Sequence, residues 1–187
     1  GGFYYDTVSS WWCSVHGHNH PRIKKAIKKQ LDTLEHVLFA GFTHKAAILL
    51  SEKLISISPP GISKIFFSDD GSTAVEAAMK ISFQYWHNIG RKRKVKFVSL
   101  DRGYHGDTLG TMSVSGVSLF NKIFSPLFFD SFKVPSPYCY RCPAGKKAGS
   151  CNIECINPLE KLFAEHSGEI AAFIIEPIVM AAGGMIV

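Results

Sequence analysis

Hydrophobic and polar positions follow two patterns along the chain, and they change over near residue 64. Beyond it, short apolar runs alternate with stretches whose apolar residues recur at helical spacing. Ile65-Phe66-Phe67, Lys96-Phe97-Val98-Ser99-Leu100, Phe132-Lys133-Val134-Pro135 and the run from Ile170 to Ile175 are of the kind that buried parallel strands need. Val75, Ala78, Met79 and Phe83 share one face of a helix predicted over 73–88, with Gly90 suited to its C′ position. Thr73 and Glu76 have the spacing of a capping box. Residues 107–124 read as short helices broken at Gly110 and Gly116, and Asn157-Pro158 opens a helix that ends at Gly168.

Before residue 64 the pattern is mostly helical. Pro21 opens a helix to about His36, and Thr43 can cap a second one to about Ile57, with Ala47, Leu50, Leu54 and Ile57 as its buried stripe. Ser58-Pro59-Pro60-Gly61 breaks it. Residues 3–18 have no helical period and read as a β-rich aromatic segment. Adjacent Trp11 and Trp12 cannot both face one core from a strand, so one should line a surface, a pocket or a partner.

Alternating strands and helices indicate an α/β domain with a largely parallel sheet. Such sheets bind ligands at the carboxyl ends of their strands. Asp70-Gly71-Ser72, Tyr104 and Glu176 each lie just past a predicted strand end. Gly71 lets the backbone come close and Ser72 adds a hydroxyl. The first-turn N–H groups of the helix that follows have no partners within it, so a phosphate suits this place. A plain capped helix is the competing reading. Tyr104 can either stack on a flat ligand or pack on the core.

Composition narrows this further. Apolar content of 46% and charged content of 19% are globular values, and no run approaches the roughly 18 apolar residues of a membrane span. No signal-peptide pattern is present. The net charge of +6 comes from local runs, including Lys24, Lys25, Lys28 and Lys29 on one helix face. That face reads as solvated; nucleic-acid binding would need interleaved aromatics that are absent. Cys139, Cys142, Cys151 and Cys155 fall within one short stretch whose spacing could aim four sulfurs at a zinc ion; reduced, unligated thiols are the alternative. His16, His18 and His20 alternate, but Gly17 and Asn19 suggest a loop, without a carboxylate or Cys to complete a metal site.

Six segments together resemble the class III pyridoxal-phosphate aminotransferases of fold type I. They are Ser9-Ser10-Trp11-Trp12, His16-Gly17-His18, Ser68 through Glu76, Phe83-Gln84-Tyr85-Trp86, Gly103-Tyr104-His105-Gly106-Asp107-Thr108 and Ile175-Glu176-Pro177-Ile178-Val179. The paired Trp after two serines is most similar to the biotin-pathway branch. The resemblance implies an incomplete aspartate aminotransferase-like large domain over 21–187, preceded by a segment, 1–20, that carries substrate-pocket aromatics. It implies that Gly71 and Ser72 hold the cofactor phosphate, that Tyr104 stacks on the pyridine and borders the substrate, that Trp11 walls the substrate pocket, and that Glu176 lies near the cofactor. Asp107 is then a structural hydrogen-bonder. The implied reaction forms 7,8-diaminononanoate from 8-amino-7-oxononanoate, with S-adenosylmethionine or lysine as amino donor, in a cytoplasmic homodimer without nucleic-acid or membrane partners.

Three departures stand out. No segment matches the family's Schiff-base lysine or its pyridine-nitrogen aspartate, so no catalytic residue is assigned, and the chain is expected to be an inactive amino-terminal portion. Met180-Ala181 stand where the family usually has Gln-Gly. The cysteine cluster is not a general feature of the family. Two alternatives stay open: another class III ω-aminotransferase, acting on ornithine, 4-aminobutyrate or β-alanine, and a non-catalytic zinc-bearing module.

Overall fold

The structure, a computed structural model, describes residues 1–116 and 118–186; Val117, within the stretch read as short helices, and Val187, at the end of the predicted large domain, lie outside them. The described helices are α1 (Pro21–Leu31), α2 (Lys45–Ile57), α3 (Gly71–Asn88), α4 (Leu109–Val114), α5 (Ser118–Asn121) and α6 (Asn157–His166). The strands are β1 (Lys96–Leu100), β2 (Phe132–Val134), β3 (Ile170–Ile174), β4 (Val179–Met180) and β5 (Met185–Ile186). Contacts divide the chain into two units, Gly1–Ile65 and Phe66–Val187.

In the second unit β1 is the middle strand of a parallel sheet ordered β2-β1-β3, with Val98 opposite both Phe132 and Phe173. Side chains alternate across a strand, and apolar residues cover both faces of this one. On one face Phe97 and Ala171 pack with Met79 and Val114, joined by Val75 and Trp86. On the other, Val98, Leu100, Val134 and Ile170 pack with Met180 and Met185, and Leu159, Leu162 and Phe163 of α6 lie against them. The indole N–H of Trp86 donates to the Ala171 carbonyl at 2.7 Å, which fixes α3 to the sheet. No described helix is long and apolar enough to cross a membrane.

Several expectations need correction. Ile65-Phe66-Phe67 is not assigned to a strand, and Phe66 is 73% exposed. In the first unit α1 stops at Leu31, short of His36. The cap of α2 is His44, whose Nδ1 accepts from the Ala47 N–H at 3.4 Å, and not Thr43. Ala47 is buried as expected, but Leu50 and Ile57 are exposed. Residues 3–18 contain no strand; Ser9–Trp12 instead form a turn with φ between 49° and 66°. The left-handed region costs an L-residue roughly 1–2 kcal/mol.

Candidate functional site

The site lies where the amino end of α3 meets the loop after β1. Asp70 caps α3: its Oδ1 accepts from the Thr73 N–H at 2.8 Å, and the Thr73 hydroxyl oxygen accepts from the Asp70 N–H at 3.0 Å. The capping box is therefore Asp70–Thr73 rather than Thr73–Glu76, and the helix starts at Gly71. The Thr73 N–H holds the Asp70 carboxyl below its usual range, and that of Ser72 adds a weaker pull. The Gly71 N–H has no acceptor among the described residues, and the space where a Gly71 Cβ would stand is open.

The Ser72 hydroxyl lies 3.0 Å from the hydroxyls of both Thr108 and Thr111, and accepts from the Thr108 N–H at 3.1 Å. Glu76 turns to the same place, accepting from the Thr108 hydroxyl at 2.6 Å. Gly106, at φ 128°, lies flat on Ser72: an added Cβ would stand 2.8 Å from the Ser72 Cα. Only glycine permits that approach.

The loop itself is pinned from the end of the neighbouring strand β3. Glu176, just past β3, accepts from the Tyr104 N–H at 2.8 Å and from the Ala181 N–H at 2.9 Å. The His105 N–H donates to the Ser115 hydroxyl at 2.9 Å. Burial lowers the His105 pKa, against the nearby Glu176 charge, and its Nε2 has no hydrogen-bond partner among the described residues. The Tyr104 hydroxyl donates to Asp107 at 2.7 Å, and this bond pushes the phenol pKa up to about 12.

Asp70, Gly71, Ser72, Val75 and residues 104–108 border a hollow of about 660 Å³. The open Gly71 N–H at its helix end is a donor suited to a phosphate, and the two bordering carboxylates each accept from a neighbour, Asp70 from Thr73 and Asp107 from Tyr104. Gly71, Ser72 and Tyr104 are thus brought together. Trp11 belongs to the other unit and is 76% exposed there. Glu176 accepts from the loop backbone, and Asp107 accepts from the Tyr104 hydroxyl.

The cysteines do not form the expected centre. All are free thiols, and among the described residues no group of three or more His, Cys, Asp or Glu side chains is placed to hold a metal ion. Burial, then the fields of Cys142, Cys151 and Cys139, raises the Cys155 pKa. Sequence reasoning also missed Thr108 and Thr111 as partners of Ser72, and Glu76 as the acceptor for Thr108. Their contacts join residues more than 30 positions apart, and no local spacing signals them.

The family described as aminotransferase class-III matches residues 1–187. An adenosylmethionine-8-amino-7-oxononanoate aminotransferase of Geobacter sulfurreducens is 47% identical over 100% of this chain and 42% of its own length. The crystal structure of the like-named protein of Methanocaldococcus jannaschii superposes with a TM-score of 0.84 at 39% identity, over 95% of this chain and 37% of that one. A PLP-bound amine transaminase from an uncultivated Pseudomonas species does so with a TM-score of 0.84 at 35% identity, over 91% and 39%. The chain spans less than half the length of these relatives.

Proposed function

We propose, because the chain belongs to the class III aminotransferase family, that it is part of a pyridoxal-phosphate-dependent transaminase that converts 8-amino-7-oxononanoate to 7,8-diaminononanoate. The single observation that carries this reading is the seat of Gly106 on Ser72, which brings the open helix end and the Tyr104 loop around one hollow. Relatives named for that reaction, 40–47% identical to this chain, supply the substrate. S-adenosylmethionine is the donor their name suggests, with lysine the alternative. A cytoplasmic homodimer belongs to the same reading and rests on the family alone.

Pyridoxal phosphate, when bound, supplies the electron sink that amino-group transfer needs. The residues of this chain bind and orient. The first N–H groups of α3, at Gly71 and Ser72, would hold the phosphate, with the helix dipole in support. The Tyr104 ring would lie against the cofactor. Its phenol stays protonated at physiological pH, with the proton held on Oη toward Asp107. Glu176 keeps the Tyr104 backbone in place. Trp11, in the first unit, would contact the aliphatic part of the substrate, a role that rests on the family alone.

The full-length protein, incubated with pyridoxal phosphate, 8-amino-7-oxononanoate and either donor, should yield 7,8-diaminononanoate by mass spectrometry. A solved ω-transaminase from Pseudomonas jessenii matches the chain at a comparable TM-score of 0.83. Turnover of ornithine, 4-aminobutyrate or β-alanine with none of the oxo acid would therefore transfer the assignment to that group.

A further inference from the structure

The first unit holds a conformation that L-residues avoid. Ser9, Ser10, Trp11 and Trp12 have φ of 51°, 49°, 53° and 66°. Non-glycine residues enter this region singly, not in runs, unless their surroundings over-determine them. Here the surroundings centre on one carboxylate. Asp6 Oδ2 accepts from the Ser10 hydroxyl at 2.8 Å and lies 2.7 Å from His18 Nε2, while Oδ1 accepts from the Val8 N–H at 3.3 Å. The Asp6 carbonyl accepts from the Ser9 N–H at 3.4 Å. Two further bonds, Trp12 N–H to the Val8 carbonyl and Ser14 N–H to the Ser9 carbonyl, both 2.9 Å, close the turn. Asp6 therefore ties the turn both to the residues before it and to His18 beyond it. Bonds from Ser10 and His18 bring its pKa down to about 2, so the anchor stays charged near neutral pH.

The turn presents two indoles, with Trp11 76% and Trp12 60% exposed. A strand would send them to opposite faces, whereas helical geometry sets adjacent side chains about 100° apart, close enough to border one concavity.

We propose that Asp6 and His18 are positioning residues that clamp the left-handed Ser9–Trp12 turn and so fix the paired indoles as the wall for the aliphatic chain of the oxo acid. The substrate half of this inference rests on the function proposed above; the clamp does not.

The test uses the full-length enzyme with Asp6→Asn, His18→Ala, and Asp6→Asn combined with Ser9→Gly and Ser10→Gly. Amide hydrogen exchange over residues 6–18 reads the turn, steady-state kinetics reads the wall, and pyridoxal-phosphate titration serves as control. Each of the first two variants should speed exchange at Trp12 and Ser14 by about tenfold or more. KM for 8-amino-7-oxononanoate should rise by about tenfold, with kcat held within about twofold and cofactor affinity unchanged. Glycine enters the left-handed region without steric strain, so the combined variant should recover part of both the protection and the KM lost in Asp6→Asn. Unchanged exchange in both Asp6→Asn and His18→Ala would overturn the clamp. Faster exchange with an unchanged KM would overturn the wall. A wild type that protects the turn but does not convert the oxo acid would overturn the function proposed above, and exchange would still decide the clamp.

Discussion

Ser72 has two tasks at the proposed site, and they can be separated. Its backbone N–H lies at the end of α3 proposed to hold the phosphate, while its hydroxyl is occupied by Thr108 and Thr111. Ser72→Ala leaves the part-buried Thr108 N–H without its acceptor, which should cost roughly 1–3 kcal/mol of stability. The loop that borders the cofactor loosens with it, so pyridoxal-phosphate affinity should fall by roughly ten- to a hundredfold. Chemical denaturation and cofactor titration of the full-length enzyme read the two effects, and wild-type values in both would show that the hydroxyl supports neither. Tyr104 calls for a different pair of variants. Tyr104→Phe keeps the ring and releases the Asp107 carboxylate into the hollow, so cofactor affinity should drop through repulsion of the phosphate. Tyr104→Ala also removes the ring, so turnover should fall even at saturating cofactor. Equal turnover of the two variants at saturation would show that the ring contributes nothing.

At the scale of elements, the contact between the α3 end and the 104–108 loop depends on Gly106. Gly106→Ala faces both a φ of 128° and a collision with Ser72, whose Cα would be 2.8 Å from the new atom. A destabilisation of roughly 1–3 kcal/mol is expected from the backbone alone. Adding Ser72→Gly should recover little, because the obstruction includes backbone; full recovery would mean that the side chain alone sets the approach. The cap of α3 has a pH signature. The folded-state pKa of Asp70 is depressed, so its stabilisation is complete above the ordinary value of 3.8 and is lost as pH falls through the folded value. Wild type and Asp70→Ala should therefore differ in denaturation midpoint at neutral pH and converge in acid, whereas Asp70→Asn, still a good cap, should show no such convergence. Much of this was legible in the sequence. The β1 run was readable because both its faces are covered, and Gly90, with φ 80°, follows α3 as expected. The turn after β1 and the Glu176 position follow from strand ends. The Asp70–Thr73 box was obscured because two pairs share the same spacing and only the helix start chooses between them. The left-handed turn was illegible: Ser and Trp avoid that region individually, and the Asp6–His18 contact beside it joins residues 12 positions apart.

For the whole molecule, surface area is the governing quantity. The chain exposes 14303 Å². A folded monomer of 20.7 kDa exposes roughly 8,900 Å² by the usual scaling. The excess includes large apolar side chains: Phe66 73%, Leu119 84%, Phe120 69%, Ile123 81% and Ile57 80% exposed. Monomeric proteins rarely leave contiguous apolar patches of more than a few hundred Å² in water. The relatives are more than twice as long as this chain, which covers 42% of the Geobacter sulfurreducens protein, and in the proposed enzyme the additional chain and a second subunit would cover these side chains. Produced alone, the 187 residues should self-associate at micromolar concentration and bind an apolar dye strongly. They should also fail to transaminate, since no segment here matches the family's Schiff-base lysine. The full-length protein should show neither association beyond a dimer nor strong dye binding. Light scattering and dye fluorescence on the two proteins side by side decide the matter. A monodisperse, dye-silent monomer from the short chain would mean that its apolar residues find partners within these 187 residues, and the inference that the longer protein covers them would fail.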